Sequence, residues 1–227
     1  MDTILMDVAA LSCAGGRIRK AIRLAERHDT PFRHWLPNAV LPDAMARALA
    51  RLPLTPPAID DTSGKRETHN ASRLFVNEAS RREYPVCATL AEAFQDEATI
   101  GLLNDMTGLD LTGSFLRIEY CLDTDGFWLE PHTDIGAKLL TFLVYLSDSP
   151  DADDWGTDLM TPQGEVIGSA PGGFGKGLLF VPGPDTWHGF ARRPINGVRR
   201  SLIVNYVKPE WRSRHELAFS DQPVRSA

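Results

Sequence analysis

Along the chain the apolar positions change period near residue 113. Before that point they recur at helical spacing; after it they alternate, or run in short blocks bounded by turn residues. In residues 16–29, Ile18, Ile22 and Ala25 fall on one face with Arg and Lys opposite, which predicts an amphipathic helix. A second helix starts at Leu41-Pro42-Asp43, with proline in its first turn. It repeats through Met45, Ala48, Leu49 and Leu52, and the three prolines of 52–57 end it. A third helical stretch covers 86–108, with Leu90, Phe94 and Ala98 aligned and Gly108 as its stop. Residues 58–83 are polar around one apolar patch, Leu74, Phe75 and Val76, and read as a long loop or an irregular edge strand.

Beyond residue 113 the period is two. Leu116, Ile118, Tyr120 and Leu122 alternate with Arg117, Glu119 and Cys121, a strand closed by the turn Asp123-Thr124-Asp125-Gly126. Residues 139–147 are nearly all apolar, as in a strand buried on both faces. Residues 156–160 and Val166-Ile167, about the turn Pro162-Gln163-Gly164, predict a hairpin, and 178–181 and 198–207 supply further strands. Seven or eight short strands with little helix between them predict a sandwich or barrel, with the first-half helices over one outer face.

The 227 residues suit one domain, with a mainly helical part to residue 112, a β core over 113–208 and a tail over 209–227 in which PEWRSRHELAF could form a helix. With 43% hydrophobic and 24% charged residues the chain reads as an ordinary globular protein, and a net charge of −6 argues against nucleic-acid or anionic-membrane binding by bulk charge. No apolar run is long enough to span a bilayer, and acids stand where a secretory leader would be basic. Cys13, Cys87 and Cys121 are odd in number and far apart, so the expectation is a reducing cytoplasm without disulfides.

The informative motif is Pro131-His132-Thr133-Asp134, followed by Trp187-His188-Gly189-Phe190 and then by Arg199-Arg200. On extended chain, residues i and i+2 leave the same face, so His132 and Asp134 can converge and a third ligand from a distant strand can complete a triangle. Two imidazoles and one carboxylate leave open positions on an octahedral metal, the facial arrangement suited to Fe(II) oxygenases. A lone H-x-D is weak. Its order with a buried strand, a hairpin, the run Phe180 to His188, and Arg and Ser on the last strand resembles the 2-oxoglutarate/Fe(II)-dependent dioxygenases, in the prolyl 4-hydroxylase-like branch, over residues 113–208. Less specifically, PFRHWLPNAVLPDAMARAL resembles the first strand and helix of that branch.

That resemblance implies a double-stranded β-helix (a cupin-like jelly roll), iron held by His132, Asp134 and His188, and 2-oxoglutarate and O2 as cosubstrates with release of succinate and CO2. Halogenating members replace the carboxylate ligand with a small residue, so Asp134 points to hydroxylation. A dicarboxylate needs a buried cation at the closed end of its pocket. In VRRSLIVNY, Arg199, Ser201, Ile203 and Asn205 share one face, and Arg200, Leu202, Val204 and Tyr206 share the other. The polar face should point inward, which selects Arg199 with Ser201; the competing register selects Arg200. The resemblance places Tyr145 where a tyrosine reaches the distal carboxylate, although it suits the core equally. Tyr120 could reach the cosubstrate or pack in the core. Trp187 and Phe190 would wall the site or fill the core, and Thr133 should face away from the metal.

Other signals carry less. The glycine-rich run 172–177 fits no phosphate-binding pattern and reads as a flexible turn. Asp148, Asp151, Asp153 and Asp154 read as a solvated loop; His28, His34, His69 and His215 lack ligand-like partners. Lys65, Arg66, Arg73, Arg81 and Arg82, in the polar segment, could meet an anionic substrate. The small size favours a small-molecule substrate such as an amino acid, sugar, lipid or natural product. The rival function is a cupin-like sugar-binding or isomerase module that holds a metal without 2-oxoglutarate. Weaker still is a metal-free interaction protein.

Overall fold

Eleven short strands and five helices appear in a computed structural model that describes residues 2–65 and 73–226, the side chains of 2–12 excepted. Arg66 and His69 lie outside the described residues. The first-half apolar stripes make α1 (Asp2–Arg23), α2 (Asp43–Ala50), α4 (Pro85–Gln95) and α5 (Glu97–Thr107). The helical stretch over 86–108 is two helices, broken where Asp96 caps α5 by accepting from the Thr99 amide at 3.0 Å. Gly108 ends α5 with φ of 78°, the left-handed turn that a side chain would strain.

Several expectations need correcting. The first predicted helix ends at Arg23, and Glu26–His28 is instead strand β1, paired with β2 (His34–Leu36). The polar segment holds β3 (Arg73–Phe75), the edge strand expected around its apolar patch, but also an unexpected helix, α3 (Glu78–Glu83), whose capping box joins Asn77 and Ser80. Among its described residues the tail forms no helix beyond a 3-10 turn at Arg214–Glu216, because Leu217 bridges back to Arg117. The glycine run is also tightly packed, not loose: a Cβ on Gly172 would sit 2.3 Å from the Gly156 amide nitrogen.

The second half gives β4 (Phe115–Asp123), β5 (Leu129–His132), β6 (Lys138–Tyr145), β7 (Asp158–Met160), β8 (Val166–Ser169), β9 (Gly177–Phe180), β10 (His188–Phe190) and β11 (Arg199–Val207). They form a seven-stranded sheet ordered β1-β2-β9-β6-β11-β4-β3 and a four-stranded sheet ordered β5-β10-β7-β8, every pairing antiparallel. This is the two-sheet barrel that the alternating pattern predicts, in the jelly-roll form that the resemblance implies.

The period of two decides what each face of the large sheet meets. Leu116, Ile118, Tyr120 and Leu122 of β4 and Leu202, Val204 and Tyr206 of β11 pack on the helices with Leu90 and Phe94. The Tyr206 hydroxyl donates to the Phe94 carbonyl at 2.6 Å. The opposite face turns into the barrel, where Arg199 pairs in register with Asp123, Ser201 with Cys121, Ile203 with Glu119 and Asn205 with Arg117. Between the sheets, Phe32, Leu143, Tyr145, Leu159, Leu178 and Phe180 make a smaller core. Among the described residues no helix is long and apolar enough to cross a membrane.

Candidate active site

His132 ends β5 and His188 opens β10, and the two strands pair so that these residues stand directly opposite one another. Their ring centroids lie 4.4 Å apart. Asp134, two residues past His132, turns back over β6. One ligand atom from each of His132, Asp134 and His188 lies within 4.8 Å of the others, and this is the metal-capable cluster of such residues among those described.

Each histidine is fixed in the form a ligand needs. Nδ1 of His132 faces the Glu130 carbonyl at 2.9 Å and Nδ1 of His188 faces the Thr186 carbonyl at 2.8 Å. A carbonyl can only accept, so both Nδ1 atoms carry the proton and both Nε2 lone pairs are left to coordinate. Burial and the neighbouring His132 push His188 down to about 4, so its ring is neutral at physiological pH. The Asp134 side chain is 5% exposed. Burial alone would raise its pKa, but the Lys138 ammonium at 2.5 Å, His188 and the Thr141 hydroxyl at 2.6 Å outweigh that and hold it well below the usual carboxylate range.

The cluster opens on a cavity of about 400 Å³ that runs down the barrel interior. Thr141, Leu143, Thr157, Phe190, Arg199 and Ser201 line it below the triad. Arg199 is 3% exposed; Nε donates to the Trp155 carbonyl at 2.6 Å and Nη1 to Asp123 at 2.5 Å, which leaves Nη2 without a protein partner among the described residues. Ser201, fully buried beside it, has an Oγ with no hydrogen-bond partner among the described residues. A buried hydroxyl left unpaired costs free energy, so these two donors form a cradle with the chemistry for a carboxylate.

The remaining sequence-selected residues fall elsewhere. Arg200 and Tyr120 stand on the helix-facing side of the sheet, neither lines the cavity, and burial pushes the Tyr120 hydroxyl up to about 12. The strand period accounts for this: each is one residue out of phase with the inward face. Tyr145 faces inward but behind the wall. Its hydroxyl donates to Thr157 Oγ1 at 2.9 Å and accepts from the Thr157 amide at 3.0 Å, and it is Thr157 that lines the cavity. Thr133 is among the residues that line the cavity.

Sequence reasoning missed an ion cluster on the same wall. Arg117 donates through Nη1 to Glu119 and to Asn205 (3.4 Å), and through Nε to Glu216 at 2.5 Å; Arg73 donates to Glu119 at 3.0 Å. The signal available was the inward phase of Arg117 and Glu119 on β4, polar positions on a strand flanked by a buried core.

No family model matches the chain, and no curated protein matches it. Solved structures do. A prolyl 4-hydroxylase from Pseudomonas putida superposes with a TM-score of 0.53 at 16% identity, over 86% of this chain and 94% of that one. A prolyl hydroxylase from Trichoplax adhaerens, solved with a peptide of hypoxia-inducible factor, gives 0.55 at 12%, over 91% and 92%. An oxidoreductase of the 2-oxoglutarate-Fe(II) oxygenase family from Burkholderia pseudomallei gives 0.54 at 17%, over 85% and 90%. The likeness is one of fold: this chain has the jelly roll of the 2-oxoglutarate/Fe(II) oxygenases, and prolyl 4-hydroxylases are among its structural neighbours.

Proposed function

We propose that the protein is an Fe(II)- and 2-oxoglutarate-dependent dioxygenase, a single domain over 1–227, that hydroxylates a C–H bond of a small molecule. The observation that carries this is one cavity with the two-histidine, one-carboxylate cluster at its mouth and the unpaired Ser201 and Arg199 donors inside it. The donor set fits a divalent iron, with two imidazoles, one ionised carboxylate and open positions left over. His132, Asp134 and His188 would hold the metal, which when bound supplies O2 activation coupled to oxidative decarboxylation of the 2-oxo acid.

The chain's own part is positioning. The backbone carbonyls of Glu130 and Thr186 keep both Nε2 atoms aimed at one point, and Thr141 fixes the outer oxygen of Asp134. Arg199 and Ser201 would receive the distal carboxylate of 2-oxoglutarate, with Asp123 neutralising the arginine from behind. Thr157, held by Tyr145, walls the same end. Phe190, Leu143 and Ile203 keep water from the reacting centre. A cavity of this size suits a small molecule alongside the cosubstrate. The odd number and wide spacing of Cys13, Cys87 and Cys121 favour a reducing, cytoplasmic compartment.

An anaerobic titration with Fe(II) and then 2-oxoglutarate tests the reading. The expected result is a visible metal-to-ligand charge-transfer band that needs both additions, is absent in Asp134→Ala and weakens in Ser201→Ala. Metal binding with no response to 2-oxoglutarate would favour the cupin-like alternative.

A further inference from the structure

The cavity has a second polar end that the cofactor chemistry does not use. Five basic side chains line the cavity. Among them Arg199 is paired with Asp123, Lys138 with Asp134, Arg73 with Glu119, and Arg117 with Glu119 and Glu216. On Arg117 the pairing leaves one edge open. Arg117, 4% exposed, lies with its guanidinium carbon 5.0 Å from the ring centres of both Phe75 and Trp211. Nε and Nη1 are occupied by Glu216, Glu119 and Asn205, while Nη2 has no partner among the described residues. Beside it the Trp211 indole Nε1–H is buried with no acceptor among the described residues, and both residues line the cavity. Two orphan donors on one cavity wall, one of them on a cation, ask for an anionic acceptor.

The place of this pair relative to the triad is fixed by hydrogen bonds. Arg117 Nη1 reaches Asn205 Oδ1, the Asn205 amide donates to Thr141 Oγ1 at 2.9 Å, and Thr141 donates to Asp134 at 2.6 Å. Three bonds therefore tie the guanidinium to the carboxylate of the metal-capable cluster, through side chains that β4, β11 and β6 present at adjacent register positions. A ligand anchored at Arg117 would lie with its body along Ile203, Leu129 and Ile135, across the triad.

We propose that the primary substrate is a small carboxylic acid whose carboxylate is received by Arg117 Nη2 and the Trp211 indole N–H, with an apolar body laid over the metal cluster. This rests on the dioxygenase reading and names its substrate class. Glu119 and Glu216 neutralise most of the guanidinium, so that the receptor holds its shape without substrate; the unused Nη2 edge and the indole supply the recognition. Arg73, bonded to Glu119, supports the cluster.

The test is calorimetry under anaerobic conditions on protein saturated with Fe(II) and 2-oxoglutarate. The probes are butanoate to decanoate, phenylacetate and N-acetylated amino acids, each paired with its own primary amide. The expected result is that at least one acid binds roughly tenfold or more tightly than its amide, and that Trp211→Phe and Arg117→Lys shrink this ratio several-fold. Saturating 2-oxoglutarate keeps the acids off Ser201 and Arg199, and Ser201→Ala should leave the acid-to-amide ratio unchanged. The wild-type comparison needs no variant to fold.

Amides that bind as well as acids would overturn the proposal, as would a ratio untouched by Trp211→Phe, or a panel in which nothing binds while a proline-containing peptide does. If the charge-transfer band never forms yet acids bind in preference to amides, with sensitivity to Trp211→Phe and not to Ser201→Ala, the carboxylate receptor stands and the dioxygenase reading falls.

Discussion

Ser201 shows how one atom separates stability from function. Its Oγ is buried and unpaired, so Ser201→Ala removes a desolvated polar group and gives up no protein hydrogen bond. The expected outcome is an unchanged or slightly raised melting temperature together with 2-oxoglutarate binding weakened about tenfold or more, since one hydrogen bond to a charged group is worth about 1.5–3 kcal/mol. A drop in melting temperature with full affinity would show that the hydroxyl serves the core instead. His188 gives the pH counterpart. Its imidazole is pushed from 6.5 in the unfolded chain to about 4 in the buried site. Between those values the unfolded chain binds more protons, so stability rises with pH across the window. The contribution is full above about 6.5 and disappears as pH falls to about 4, roughly 3 kcal/mol in all. Melting of the metal-free protein between pH 4 and 7.5 should show this slope, and His188→Gln should flatten it. His34, whose pKa burial also lowers, adds a slope of the same sign that the substitution leaves in place.

At the scale of elements, what was legible was whatever strand phase or local spacing decides. The i, i+2 relation of His132 and Asp134 and the inward phase of Arg199 and Ser201 follow from a period of two, and the hairpin of β7 and β8 from the turn residues Pro162-Gln163-Gly164. Contacts made over long sequence separations left no comparable trace. Trp211 and Glu216 reach Arg117 from a tail whose helical texture loses to a bridge with β4, and α3 is short and polar, betrayed only by Asn77 and Ser80. Gly156 belongs with these hidden determinants. A Cβ there would lie 1.6 Å from the Ala170 carbonyl oxygen and 3.0 Å from the Gly172 nitrogen, because two loops cross at backbone contact. Its neighbours hold the closed end of the cavity: the Trp155 carbonyl accepts from Arg199, and the Thr157 amide donates to Tyr145. Gly156→Ala should therefore cost about 3 kcal/mol or more, at the upper end for overpacking, and weaken 2-oxoglutarate binding at the same time. A conservative change in the helix-facing core, such as Phe94→Leu, should lower the melting temperature and leave that affinity intact, since Phe94 packs on Phe142 away from the cavity.

For the whole molecule, the consequence of this layout is that the metal cluster sits across the seam between the two sheets. His132 and His188 belong to the four-stranded sheet, while Asp134 is anchored by Thr141 and Lys138 to the seven-stranded one. A divalent ion held by all three would pin one sheet to the other at the mouth of the barrel, where no strand pairing does so. Binding to the native state alone adds about 2.7 kcal/mol at a free metal concentration one hundred times the dissociation constant. For a chain of this length each kcal/mol moves the midpoint by roughly 2–4 °C, so Mn(II) or anaerobic Fe(II) should raise the melting temperature by about 5–11 °C. Asp134→Ala should abolish the shift. Thr141→Val keeps the shape of the residue but frees the carboxylate from β6, so it should retain metal binding while reducing the shift. Hydrogen exchange gives the sharper reading. If the metal is an inter-sheet clamp, protection must rise on β5 and β10 and on β6 together; protection confined to the two histidine strands would mean that Asp134 does not carry the load across to the larger sheet.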